Sequence, residues 1–383
     1  MRAVIVDKFV PSPPDSGGKR RSLALLERLA ERMPVTLCAF ERGGEDLDGL
    51  RSAGITVRSV PWQPGIRRSV AGLGRTRSVT AARFSDPRLA AQVRAACTGD
   101  DLLVVEYTQM AHYAAGVPAR YKVLDMHNVE SDLMQSYAAS GSGPRAWVAA
   151  AEARALRRME DASGRDFDHV VCVSGRDAQL LSQRGTGATV CANGWNPRSA
   201  PLEPSVEPLV VFVALMGWAP NADAARWLTE QVWPIVRREH PAARLALVGK
   251  DPTPGVVALA GPDVQVTGTV PSVEPWLRRA QVAVAPLLAG GGSRLKILEA
   301  LDAGRPLVST SKGLEGLEDL EGDGVLVADD PLEMATAVVG LLRDPARAAR
   351  LGARGAAAVR ERHMWDAAWQ PLWDHLSAAG VLD

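Results

Sequence analysis

Short runs rich in β-branched residues recur between longer stretches of helical spacing, and this alternation restricts the fold more than any other feature of the chain. AVIVD, VTLCAF, DLLVVEY, YKVLDMH and HVVCVS precede position 175, and LVVFVAL, RLALVG, VQVTG, VAVAPL, PLVST and GVLVA follow position 208. Continuous apolar runs of this length suit strands buried on both faces, and intervening helices would cover those faces, so the pattern predicts βαβ units and parallel sheets. At 383 residues the chain exceeds one ordinary core. The segment NPRSAPLEPSVEP, residues 196–208, has four prolines and no apolar periodicity and reads as a linker. The expected organisation is an α/β protein of two doubly wound Rossmann-like domains, 1–197 and 209–365, joined by a linker at 198–208 and followed by a Trp- and Ala-rich helical segment, 366–383. Ligands of such sheets sit in a cleft at the strand C-termini, which directs attention to the loops there.

Composition excludes several classes of function. Forty-four basic residues balance forty-four acidic ones, so no global field exists to gather nucleic acid or anionic lipid, and any anion site must be local. The first apolar run is shorter than a secretory signal and is followed by Pro11, Pro13 and Pro14. No apolar stretch reaches the length of a membrane span. Cys38, Cys97, Cys172 and Cys191 are far apart and form no Cys-x-x-Cys pair, which suits reduced core thiols and a cytoplasmic setting. An excess of Arg over Lys, 38 to 6, suits a high-GC bacterial source. A monomer or a homodimer is expected.

The segment APLLAGGGSRLKILEALDAGRPLVST, residues 285–310, reads as strand, glycine turn, helix and strand. Gly290, Gly291 and Gly292 would let the backbone approach an anion, and Ser293 is a candidate N-cap that leaves free N–H groups beside it. Arg294, Leu295 and Lys296 follow. Cations in a first helical turn oppose the helix dipole, and a bound diphosphate would reverse that penalty. Glu299 on the same helix could accept two ribose hydroxyls. In the bland alternative, Arg294 and Lys296 are solvated and Glu299 is a helical partner of Lys296.

Three further features lie in the first half. FVPSPPDSGGKRR places Gly17 and Gly18 between the first strand and a helix expected to begin near Ser22, with Lys19, Arg20 and Arg21 beside them. DMHNVESD places His127 and Asn128 at a strand end facing the cleft, where an imidazole can bond a sugar hydroxyl or carry a proton. Glu106, at the end of DLLVVEY, could bind an acceptor or a sugar hydroxyl, or be a capping or salt-bridge residue. The six histidines show no metal-ligand spacing, so no metal and no cofactor are expected. The triplets Asp46-Leu47-Asp48 and Asp166-Phe167-Asp168 lie where surface charge, not a catalytic metal, is expected. Ser174 lacks a Gly-x-Ser-x-Gly elbow, and neither the Gly-x-Gly-x-x-Gly fingerprint nor a Walker sequence occurs.

These motifs together resemble glycosyltransferase family 4 and its relatives, the retaining, group 1 type enzymes of GT-B fold. PLLAGGGSRLKILEALDAGRPLVSTSKGLEGL is similar to their donor-site signature. FVALMGWAPNADAARWL resembles the start of their C-terminal domain, with Met216, Trp218, Pro220 and Asn221 at matching places. VQVTGTVPSV resembles their base-side loop, ANGWN the turn that ends their first domain, and DSGGKRR their glycine loop. The resemblance implies transfer of a sugar from a nucleoside-diphosphate-sugar donor to a small-molecule or glycan acceptor, without a metal and with retention of configuration. It implies an acceptor-side first domain, a donor-binding second domain and a C-terminal helix crossing back to the first. Glu299 would hold the ribose, the Gly290–Lys296 turn and Gly18 would face the diphosphate, Thr269 and Val270 would lie near the base, and His127 would contact the donor sugar or acceptor. Gly291 stands where the family carries the first of two glutamates, and no basic residue occurs at Leu215–Trp218, so Arg294 and Lys296 are the candidates for stabilising the leaving group. A nucleotide-sugar 2-epimerase or a silent nucleotide-sugar-binding subunit would share this architecture.

Overall fold

The computed structural model describes residues 1–63, 65, 72–74, 76–140, 143–289 and 295–382. The chain forms two compact units, one of Met1–Ala192 with Trp369–Asp383 and one of Asn193–Ala368.

The first unit carries β1 (Ala3–Phe9), β2 (Val35–Glu41), β3 (Ile55–Pro61), β4 (Leu102–Glu106), β5 (Tyr121–Met126), β6 (His169–Cys172) and β7 (Thr189–Val190) in the order β3-β2-β1-β4-β5-β6-β7. Every pair is parallel. The chain winds outward from β1 to β3 and returns on the other side of β1 as β4. That reversal opens a crevice at the C-terminal ends of β1 and β4. The second unit repeats the plan with β8 (Leu209–Val213), β9 (Arg244–Val248), β10 (Val264–Val266), β11 (Val282–Ala285), β12 (Leu307–Ser309) and β13 (Val325–Val327), ordered β10-β9-β8-β11-β12-β13. Its crevice lies at the ends of β8 and β11.

All eleven expected strands are present, and β3 and β7 are additional. β3 has the sequence ITVRSVP and lies at a sheet edge, where Arg58 and Ser59 interrupt the apolar run, and β7 has only two residues. The first helix spans Gly17–Ala30 and therefore starts five residues before Ser22, with Ser16 in extended backbone at its N-cap. Gly17 and Gly18 thus belong to a helical turn and not to a loop. The four cysteines are free and buried. No helix among the described residues is long and apolar enough to cross a membrane.

The last helix, Trp365–Ala378, supplies Trp369 and Trp373 to the first unit. The Arg21 guanidinium lies 4.2 Å from the Trp369 ring centroid and that of Arg32 lies 4.6 Å from Trp373. Farther along, His375 meets the Tyr121 hydroxyl at 2.7 Å and Arg120 donates to the Gly380 carbonyl at 2.8 Å.

Close approach of backbone just beyond β8 and β9 demands one glycine in particular. Gly249 has φ +147, and a Cβ there would overlap the Ala214 carbonyl oxygen, which is main chain and cannot swing aside. The Ala214 and Met216 amides bond the Val248 and Lys250 carbonyls at 2.9 and 3.0 Å across the same gap. Gly249→Ala is expected to destabilise the protein by about 3 kcal/mol through overpacking and backbone strain, read as a lowered urea midpoint with an unchanged m-value.

Candidate functional site

Asp7 ends the buried part of β1, Glu106 ends β4, and Asp125 and His127 lie at the end of β5. Parallel register across the β1/β4 crevice brings these groups, distant in sequence, to one place. Glu106 is fully buried. Its Oε2 lies 2.6 Å from His127 Nε2 and accepts from the Ser22 hydroxyl at 3.3 Å. Asp125 Oδ2 lies 3.5 Å from the same imidazole nitrogen. Arg21, turned inward from the first helix, donates to both Asp125 oxygens at 2.7 Å and to the Cys191 carbonyl at 2.8 Å. Tyr107 stacks on His127 with centroids 3.7 Å apart, and Lys8 Nζ sits 3.8 Å from the centroid of the Tyr107 ring.

Gly18 belongs to this group for a steric reason. A Cβ there would overlap the Tyr107 hydroxyl and lie 3.5 Å from His127 Nδ1, so the missing side chain makes room for Tyr107 to stack on the imidazole. Gly17 is exposed and Asn128 is half-buried beside the cluster. The sequence reading missed Asp7, Arg21, Tyr107 and Asp125. Tyr107 carries the one local signal of strain, a positive φ of 70° immediately after β4, a conformation that non-glycine residues keep only when their surroundings enforce it.

Burial sets the electrostatics. It pushes the Asp7 carboxyl up to about 7, helped by the nearby Glu106 charge, and holds Glu106 well above the ordinary carboxylate range, with Asp125 adding to the effect. Burial also pulls His127 down to about 4, against the attraction of Asp125, so the imidazole is neutral near pH 7. The proton between Glu106 Oε2 and His127 Nε2 sets the role of the other ring nitrogen: Nδ1 donates when the raised Glu106 carboxyl carries that proton, and accepts when Nε2 does. Glu106, Asp125 and His127 have ligand atoms within 4.8 Å of one another. Both Asp125 oxygens are engaged by a guanidinium and His127 Nε2 by a carboxylate, a donor set arranged around protons. The Asp-x-Asp triplets serve elsewhere: Asp46 accepts from the Gly49 amide at 2.8 Å as a helix cap, and Asp168 accepts from the Lys122 amide at 2.8 Å.

In the second unit, Gly290, Gly291, Gly292, Ser293 and Arg294 lie outside the described residues. The helix that follows, Leu295–Asp302, starts beyond the end of β11, and Gly304 with φ 74 closes it. Leu295 is buried, and Lys296 and Glu299 are half-buried three residues apart, on one helix face. Lys296 Nζ donates to Asn221 Oδ1 at 2.7 Å and lies 5.2 Å from the Phe212 ring centroid at the end of β8. The Lys296 ammonium, carried by the helix after β11, is therefore bonded across the second crevice to the helix after β8. Thr269, exposed, and Val270, half-buried, follow the edge strand β10.

Comparison with known proteins follows the same division. Residues 207–344 match the family model described as Glycosyl transferases group 1. No curated protein matches the sequence. Sucrose-phosphate synthase from Thermosynechococcus elongatus superposes with a TM-score of 0.73 at 18% identity, covering 99% of this chain and 100% of that one. HepE of Anabaena, solved in complex with UDP and glucose, gives 0.70 at 15% identity over 99% and 100% of the two chains. TarM gives 0.63 at 14% identity over 75% of this chain, which spans 57% of TarM's length. Likeness at these identities establishes a shared fold.

His127 generates a pH prediction. Its folded pKa of about 4 lies below the ordinary 6.5, so the unfolded chain binds more protons between those values, and the stability gained by keeping the ring neutral is complete above about 6.5 and lost as pH falls toward 4. His127→Gln should reduce the loss of unfolding free energy between pH 7 and pH 5 by roughly 2 kcal/mol relative to wild type, at about 1.4 kcal/mol per pKa unit, measured by urea titration at the two pH values.

Proposed function

We propose that this chain, a GT-B protein whose residues 207–344 are a group 1 glycosyl transferase domain, is a glycosyltransferase that moves a sugar from a nucleoside diphosphate to a small-molecule or glycan acceptor. The observation that carries the reading is the placement of Lys296 and Glu299 on one face at the start of a helix, at the β8/β11 crevice inside the matched domain. UDP and glucose in the HepE complex are consistent with that ligand class.

In the proposed reaction the bond between the anomeric carbon and the diphosphate oxygen breaks, its electron pair leaves with the diphosphate, and an acceptor hydroxyl oxygen bonds to the carbon as its proton passes to the released diphosphate. Negative charge grows on the leaving oxygen, so a fixed cation stabilises the transition state more than the ground state. Lys296 is that cation, with Arg294 as a second by sequence, and this charge can be met without a metal. Glu299 accepts the ribose hydroxyls. The family resemblance supports retention of configuration. In the first unit, His127 presents Nδ1 beside Gly18 and would bond a sugar or acceptor hydroxyl, while Glu106 holds its orientation.

A thermal-shift panel of UDP, dTDP, GDP and ADP and their sugars tests the ligand class, since a ligand at 100 times its Kd stabilises by about 2.7 kcal/mol. Stabilisation by one nucleotide family is expected, and a flat panel on folded protein contradicts the reading. Glu299→Ala should weaken binding of that nucleotide about 10- to 100-fold, as for a lost charge-assisted hydrogen bond. Lys296→Ala should lower turnover about 100-fold with a smaller change in donor affinity.

A further inference from the structure

We infer that Asn221 is a positioning residue whose neutral carboxamide aims the Lys296 ammonium into the second crevice without cancelling its charge. This rests on the proposed diphosphate role of Lys296. Asn221 sits in the first turn of the helix Ala219–Trp227, is 3% exposed, and its amide donates to the Trp218 carbonyl at 2.9 Å. Its side chain faces two partners of opposite character: Nδ2 donates to the Leu215 carbonyl at 2.9 Å, and Oδ1 accepts from Lys296 Nζ at 2.7 Å. A main-chain carbonyl only accepts and an ammonium only donates, so the orientation of this amide is set by its partners.

The chemistry of the position singles out asparagine. An aspartate would turn an oxygen toward the Leu215 carbonyl, which also offers only lone pairs, and would form an ion pair with Lys296 that competes with any phosphate for the same charge. An apolar residue would strand the Leu215 carbonyl and release the lysine stem to its other rotamers. Asparagine ties the loop after β8, through Leu215, to the helix after β11, through Lys296, and so spans the crevice where the strand order reverses. Asn221 holds the ammonium without adding a negative charge of its own.

The test uses the full chain with Asn221→Asp and, as a milder change, Asn221→Ala, each alone and combined with Lys296→Met. Isothermal titration measures UDP, dTDP, GDP and ADP, and ligand-observed NMR measures the matching nucleosides. The aspartate variant should weaken the preferred nucleoside diphosphate at least tenfold and the alanine variant about threefold to tenfold. Nucleoside binding should be unchanged in both, and both losses should shrink to under about twofold in the Lys296→Met background, because coupled residues are non-additive. Wild-type affinity in Asn221→Asp, equal loss of diphosphate and nucleoside, or a loss that persists without Lys296 would each overturn the role of Asn221 while leaving the site reading intact. Absence of diphosphate binding by the wild-type protein would instead overturn the site reading and this inference with it.

Discussion

The ion pair between Arg21 and Asp125 is the interaction on which the first unit's site depends. Both groups are 1% exposed, and burying two charges is costly unless every polar atom is satisfied. Here both carboxylate oxygens receive N–H groups, and another guanidinium nitrogen bonds the Cys191 carbonyl. Burial opposes the Arg21 charge, yet the Asp125 carboxylate more than offsets it and raises the guanidinium's pKa above its ordinary value. The pair joins four parts of the chain: the first helix, the end of β5, the segment at Cys191 and the final helix through Trp369. His127, two residues beyond Asp125, inherits its place from this arrangement, and Glu106 and Tyr107 then set its orientation.

The two crevices solve the problem of a buried charge differently. In the first, carboxylates, a guanidinium and an imidazole bond one another, with Glu106 Oε1 buried and without a hydrogen-bond partner among the described residues, and desolvation drives Asp7 and His127 toward their neutral forms. Such a cluster favours hydrogen bonding to hydroxyls over binding of an anion. In the second, the Lys296 ammonium meets the neutral Asn221 amide at its crevice.

Much of the fold was legible in the sequence because parallel strands buried on both faces leave an unbroken apolar run, as in LVVFV at β8 and LLVV within β4. β3 was not, since an edge strand tolerates Arg58 and Ser59, and the first helix was placed late because two glycines suggested a loop. Local pattern singled out His127, Gly18, Lys296 and Glu299, of which the first two lie in one buried cluster and the last two on one helix face. Arg21 and Asp125 are 104 positions apart and meet only through sheet register. Arg21 read from sequence as one of three loop cations, although Lys19 pairs with the exposed Asp15 and Arg21 alone turns into the core. Asn221 entered only as part of a resembling segment, because nothing local to it indicates that Lys296 lies across the crevice.

The most direct test of the central claim, that Lys296 stabilises a departing diphosphate, is phosphorus NMR of nucleoside diphosphate release from the stabilising nucleotide sugar, in wild type and Lys296→Ala, with an acceptor panel present. The account predicts release matched by sugar transfer in the wild type and a fall of about two orders of magnitude in the variant while the donor still binds. Equal release by both proteins, or donor binding by the wild type with no release across the panel, would contradict it.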